Sequence, residues 1–117
     1  MTRIAVFAFL AALGLPCQAA AAPFNAAAAE ALMQDSGCNK CHKVDKKKDG
    51  PAYRDVAAKF REKPDAEALV THHVTSGEMV KFDDGHEEKH KKVKTTNPAD
   101  VKNLVNWILA MEGGKKY

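Results

Sequence analysis

The apolar positions of this chain fall into four short groups and one unbroken run. Val101, Leu104, Val105, Ile108 and Leu109 trace one face at helical spacing, with Trp107 as a large anchor beside them. Asn97 is placed to cap that helix, Pro98 sits in its first turn where a missing N–H costs little, and Gly113-Gly114 are expected to end it. Tyr53, Val56, Ala57 and Phe60 predict a shorter helix that stops before Lys63-Pro64, because proline disfavours helix in the residue before it. Asp65 can cap a third helix running through Leu69 and Val70 to about Val74. Nearer the start, Asn25 is the expected cap of an alanine-rich helix over residues 26–36, whose bulkiest apolar residues are Leu32 and Met33. Gly37 can take the left-handed conformation that terminates it. Four helices and little strand make the expected class all-α.

The unbroken apolar run, residues 4–15, follows Met1, Thr2 and Arg3 and precedes an alanine-rich stretch at Ala19 to Ala22. A short positive start, an apolar middle and small residues at the end make a secretory signal peptide, expected to span residues 1–22 with cleavage among Ala20 to Ala22. The run is too short to cross a bilayer, which takes about 20 apolar residues. Lipid attachment at Cys17 is not expected, since Pro16 stands where a small residue is normally required. The remaining residues, 23–117, form one domain of about 95 residues, a size at which a buried prosthetic group helps the core.

Removal of the leader takes away Cys17 and leaves Cys38 and Cys41 in an oxidising compartment. It also removes Arg3, so that the formal net charge falls from +3 to +2. Lysines cluster at Lys46, Lys47 and Lys48 and again at Lys89, Lys91, Lys92 and Lys94. Such runs are most often solvated loops. Their functional reading is a docking face for an acidic partner, approached with salt-sensitive steering. Nucleic acid is not an expected partner of an exported chain with so modest a charge. Residues 76–97 are highly charged and without sustained period, a length that in a compact domain usually serves a function. This stretch is expected to cover a prosthetic group, with a short hairpin between Met79 and Val93.

Cys38-Asn39-Lys40-Cys41-His42 is a C-x-x-C-H sequence, the attachment signature of c-type haem. Two thiols at this spacing add to the two vinyl groups on one edge of a porphyrin, and the adjacent histidine is brought beneath the ring to bind iron through a neutral nitrogen. A thioredoxin-like site would want a βαβ pattern around the cysteines, and structural zinc would want four ligands. Neither context is present, and thioether attachment accounts for both cysteines better than a plain disulfide.

With this motif just after the first helix, with Gly50-Pro51-Ala52-Tyr53 followed by Val56-Ala57 and Phe60, and with Leu104-Val105-Asn106-Trp107-Ile108-Leu109 in the last helix, the chain resembles the class I monohaem cytochromes c of bacterial periplasms over about 90 residues. The resemblance implies helices wrapped around one haem held by Cys38 and Cys41, with His42 on the iron. It implies that the Pro51 carbonyl accepts a hydrogen bond from the outer nitrogen of His42. It places Trp107 where the first and last helices cross, near Ala28 or Leu32. It makes Tyr53 either a core residue or a donor to a haem propionate.

In one respect the chain departs from the family. Many relatives carry a methionine ligand shortly before the last helix, and here that place reads Lys92-Val93-Lys94-Thr95-Thr96-Asn97. His90, about seven residues before the helix cap, is the first candidate for the sixth ligand, and Met79 is the alternative. Lys94 would have to lose a proton, His86 is flanked by charged residues and glycine, and an open sixth position is the remaining reading. His72 and His73 are expected at the surface.

The implied function is outer-sphere electron transfer by a monomeric carrier with redox-protein partners, no enzymatic activity and no membrane insertion after cleavage. No Gly-rich phosphate cradle or H-E-x-x-H site points to group transfer or hydrolysis. An electron-input subunit of a periplasmic oxidoreductase and a gas-binding haem sensor are the alternatives.

Overall fold

The computed structural model describes residues 23–114. The expected signal peptide and Cys17 lie outside the described residues, as do the last three. Four helices follow one another as α1 (Ala26–Asp35), α2 (Tyr53–Phe60), α3 (Ala66–Ser76) and α4 (Pro98–Leu109), with a small hairpin of β1 (Met79–Lys81) and β2 (Glu87–Lys89) between the last two. The hairpin is antiparallel with Met79 opposite Lys89, Val80 opposite Glu88 and Lys81 opposite Glu87. None of the described helices is long and apolar enough to cross a membrane.

Both strongest helix starts are built as the sequence predicts. The Asn25 side chain accepts from the Ala28 amide, and that of Asn97 from the Ala99 amide, each satisfying a donor that has no partner within its helix. Asn103, in the middle of α4, ties that helix to the start of α1: its Oδ1 accepts from the Asn25 N–H at 2.6 Å, and its Nδ2 donates to the Asn25 carbonyl at 2.9 Å. Asp65 stands at the N-cap position of α3 without a capping bond. That helix runs two residues beyond Val74 and ends at Gly77. At the other end of the chain α4 stops at Leu109, short of the two glycines expected to end it, and the Ala110 amide bonds back to Asn106 at 3.0 Å.

Helices α1 and α4 make the main contact of the fold, and the apolar face of α4 divides the core into two clusters. Leu104, Trp107 and Ile108 pack with Ala29 and Met33 of α1 and with Tyr53. Val101 and Val105 pack with Val70 of α3, with Val56, Phe60 and Val93 at the edge. Leu104 and Val105 are the largest side chains fully withdrawn from solvent. Trp107 therefore lies at the α1–α4 contact as the resemblance implies. Its neighbours there are Ala29 and the half-buried Leu32, while Ala28 faces outward.

Candidate functional site

Gly37 ends α1 in the left-handed region at φ 72°, which a residue with a Cβ rarely adopts, and the chain then makes a single 3-10 turn over Cys38–Lys40. The Cys38 carbonyl accepts both from the Cys41 amide at 3.2 Å and from the His42 amide at 3.0 Å. The turn thus draws both cysteines and the histidine into one hydrogen-bonded bend. Both thiols are free and half-buried. Burial pushes the Cys38 thiol up from its ordinary pKa, opposed by the nearby Tyr53 hydroxyl.

The lysine-rich loop after the motif folds back on it. Gly50 N–H donates to the Cys41 carbonyl at 2.8 Å, and the first amides of α2, those of Tyr53 and Arg54, donate to the carbonyls of Lys43 and Val44. These bonds replace a side-chain cap, which Ala52 cannot supply. They also carry the Pro51 carbonyl to 2.7 Å from His42 Nδ1, so that Nδ1–H donates to it. With Nδ1 occupied, Nε2 is the nitrogen left to bind a metal. Burial lowers the His42 pKa, and the neutral ring that results is the ligating form.

Gly50, legible in the sequence only as a turn marker, has a second role. A Cβ there would stand 2.6 Å from His42 Cε1 and 2.9 Å from Nδ1. Only glycine lets the backbone pass so close to the imidazole. Tyr53 stacks on His42, with ring centroids 5.2 Å apart and planes 25° from parallel, and its ring centroid is 6.2 Å from that of Trp107. It is a core residue, 5% exposed, with its hydroxyl beside the Cys38 thiol.

The segment that follows α3 is pinned by three long-range bonds. The His90 amide donates to the Glu78 carbonyl at 2.8 Å, the Val93 amide to the Val74 carbonyl at 2.9 Å, and the Lys94 amide to Ser36 Oγ at 2.9 Å. Ser36, 4% exposed, is a buried polar residue whose hydroxyl anchors this segment to the end of α1. The result brings the His90 ring to 6.1 Å from that of His42. His90 Nδ1 is buried without a hydrogen-bond partner of normal geometry among the described residues. Burial, with the neighbouring His73 and His42 rings, pushes the His90 pKa down to about 4.

The other sequence candidates lie elsewhere. Met79 is in β1 with 55% of its surface exposed. Lys94 is exposed. His86 is also exposed, held between Asp84 and Glu88 on the hairpin and stacked on Phe82 at 4.3 Å. His72 is exposed as expected, but His73 is half-buried with its ring centroid 4.0 Å from that of His90. No sequence signal marked His73, because the contact joins α3 to a residue 17 positions later.

The family profile for cytochrome c matches residues 26–112. The chain belongs to the cytochrome c family. It is 38% identical to cytochrome c-551 of Allochromatium vinosum over 80 residues, 68% of this chain and 82% of that protein. To cytochrome c-552 of Nitrosomonas europaea it is 33% identical over 81 residues, 69% and 76% of the two chains. Among solved structures, class 1 cytochrome MtoD from Sideroxydans lithotrophicus ES-1 superposes with a TM-score of 0.73 at 53% identity, covering 77% of this chain and 99% of that one. This cytochrome is thus a class I monohaem c-type electron carrier with four helices around its site, holding haem c covalently through Cys38 and Cys41. Like other cytochromes c it works with redox partners.

The residues fit that group. The Nδ1 bond to Pro51 presents His42 Nε2, the neutral His90 ring lies 6.1 Å from that of His42 with its Nδ1 buried, and two half-buried free thiols sit on the turn after α1.

Proposed function

We propose that this cytochrome is a periplasmic one-electron carrier whose iron is held by His42 on one side and His90 on the other. The observation that supports this reading is the spacing of the two rings. Two imidazoles that held one iron between them, each by a bond of about 2 Å, would have ring centres about 6 Å apart. The rings of His42 and His90 are separated by 6.1 Å.

Haem c, when bound, supplies an Fe(III)/Fe(II) couple. The chain's own residues do the rest. Cys38 and Cys41 fix one edge of the porphyrin, and Pro51 orients His42 and raises its basicity through Nδ1–H. Tyr53 and Trp107 back the proximal ring with a rigid apolar wall, and residues 77–97 cover the distal side. Two imidazoles hold the potential below that of a histidine and methionine pair, since methionine raises it. The lysines would serve docking. Lys40, Lys91, Lys92 and Lys94 stand around an open cleft of about 410 Å³ beside the attachment turn, with Asp35 the one acid in its lining. Such a face suits a partner with an acidic contact surface, met by the cytochrome as a monomer and at a rate that salt lowers.

The ligand set is tested by ferric spectra of wild type, Met79→Ala and His90→Met. The near-infrared band characteristic of thioether ligation should be absent from wild type and Met79→Ala and should appear in His90→Met. A band present in wild type and lost in Met79→Ala would overturn the reading.

A further inference from the structure

The distal histidine sits on a segment with little regular structure, and something must hold its ring at the iron. The short hairpin before it leaves Glu87, Glu88 and Lys89 all exposed, so β2 offers no buried face to brace against. The support comes from Glu78, just beyond α3. Its carbonyl accepts the His90 N–H at 2.8 Å, which fixes the backbone of the ligand. Its carboxylate is 2.5 Å from His73 Nδ1, and its second oxygen lies 3.8 Å from His72 Nε2. His73, held in this way, places its ring 4.0 Å from the His90 ring with the planes tilted by 46°. One residue thus grips the backbone of the ligand directly and the wall beside its side chain through a carboxylate.

We propose that His73 and Glu78 are a positioning pair for His90: the carboxylate locks the His73 ring, and that ring keeps the His90 imidazole from swinging off the iron. The inference rests on ligation by His90. A ligand on a loop gains occupancy from any neighbour that removes its alternative rotamers, because binding competes with every unbound arrangement. Loss of the His73 wall therefore raises the fraction of molecules with an open distal position, and carbon monoxide reads that fraction, since its apparent affinity scales with it.

The test measures carbon monoxide binding to the ferrous holoprotein, with covalent haem content verified for each variant. His73→Ala is expected to bind about tenfold more tightly than wild type. His73→Phe, which restores a flat ring without the bond to Glu78, should fall within about threefold of wild type. Glu78→Ala keeps the carbonyl that holds His90 and should shift binding in the same direction as His73→Ala, by less. Because His73 lies close enough to replace a missing His90, the reference for an open site is the double variant His73→Ala/His90→Ala. If that double variant stays low-spin and ignores carbon monoxide, ligation by His90 is wrong and the pair falls with it. If the double variant is open while His73→Ala matches wild type, ligation by His90 stands and the positioning role is overturned. A His73→Phe protein as open as His73→Ala also overturns it, since the ring wall would then contribute nothing.

Discussion

On the proximal side of the site, two cysteines, a histidine and the carbonyl that orients it lie within 14 residues of one another, and the bonds that shape the turn are mostly local. Tyr53 connects this turn directly to the core around Leu104 and Trp107. On the distal side, His90 comes from a stretch that is mostly exposed and is tied down by bonds to Val74 and Glu78 at the end of α3 and to Ser36 at the end of α1. The proximal half is thus set by covalent attachment and close packing, the distal half by a few hydrogen bonds, the ring contact with His73 and the packing of Val93 at the edge of the core. Sites built in the second way open at lower cost than the first, because local opening there exposes less apolar surface. Substitutions should be severe on the first side and graded on the second.

The largest effect is expected from Cys38→Ala/Cys41→Ala. With no thiol to add to the porphyrin, the denatured protein should show the mass of the polypeptide alone, whereas wild type carries one covalent haem. Next comes the core under the proximal turn. Leu104→Ala should lower unfolding stability by about 2–5 kcal/mol, while Val80→Ala on the half-exposed middle of β1 should cost below about 1 kcal/mol. Equal costs in denaturant titrations would erase the contrast between the two halves.

Smaller and more local effects sharpen it. Gly50→Ala forces a Cβ into the His42 ring and should cost about 1–3 kcal/mol by overpacking, with a changed proximal-ligand signature in the haem spectrum. Ser36→Ala deprives the part-buried Lys94 amide of its acceptor. That change should cost about 1–3 kcal/mol and speed hydrogen exchange at Lys94 more than at any amide of the proximal turn. The smallest effect on stability, yet a visible one on kinetics, is expected from Lys40→Gln/Lys91→Gln. Electron exchange with an anionic redox reagent should slow at low ionic strength and converge with wild type at high salt. Lys47→Gln is its control: that lysine is engaged with Asp83 at 2.5 Å, away from the cleft lining, and should alter the rate less.

Much of the molecule can be read from the sequence because the responsible interactions are local. A cap such as Asn25 or Asn97 bonds an amide two or three residues away, and the C-x-x-C-H turn closes on itself. The apolar face of α4 is a matter of periodicity alone. Boundaries were less legible. Helix α3 runs on past Val74, and α4 ends before its glycines, because where a helix stops depends on the contacts available beyond it. For the same reason Ala29, and not Ala28, became the small residue packed at Trp107: one position on a helix rotates a side chain by about a quarter turn, and the partner helix selects the face.

The residues that complete the distal side belong to this second kind. Nothing near His73 in the chain distinguishes it from the exposed His72, and nothing near Ser36 signals that its hydroxyl will bind the amide of Lys94. Composition and spacing by themselves determined the class, the four helices and the two attachment cysteines, and they singled out His42 as the histidine beside them, since each depends on chemistry within a few residues. Only the tertiary structure decided which imidazole stands 6.1 Å from His42 and which side chains surround it, because those relations join segments whose distance along the chain carries no information about their distance in space.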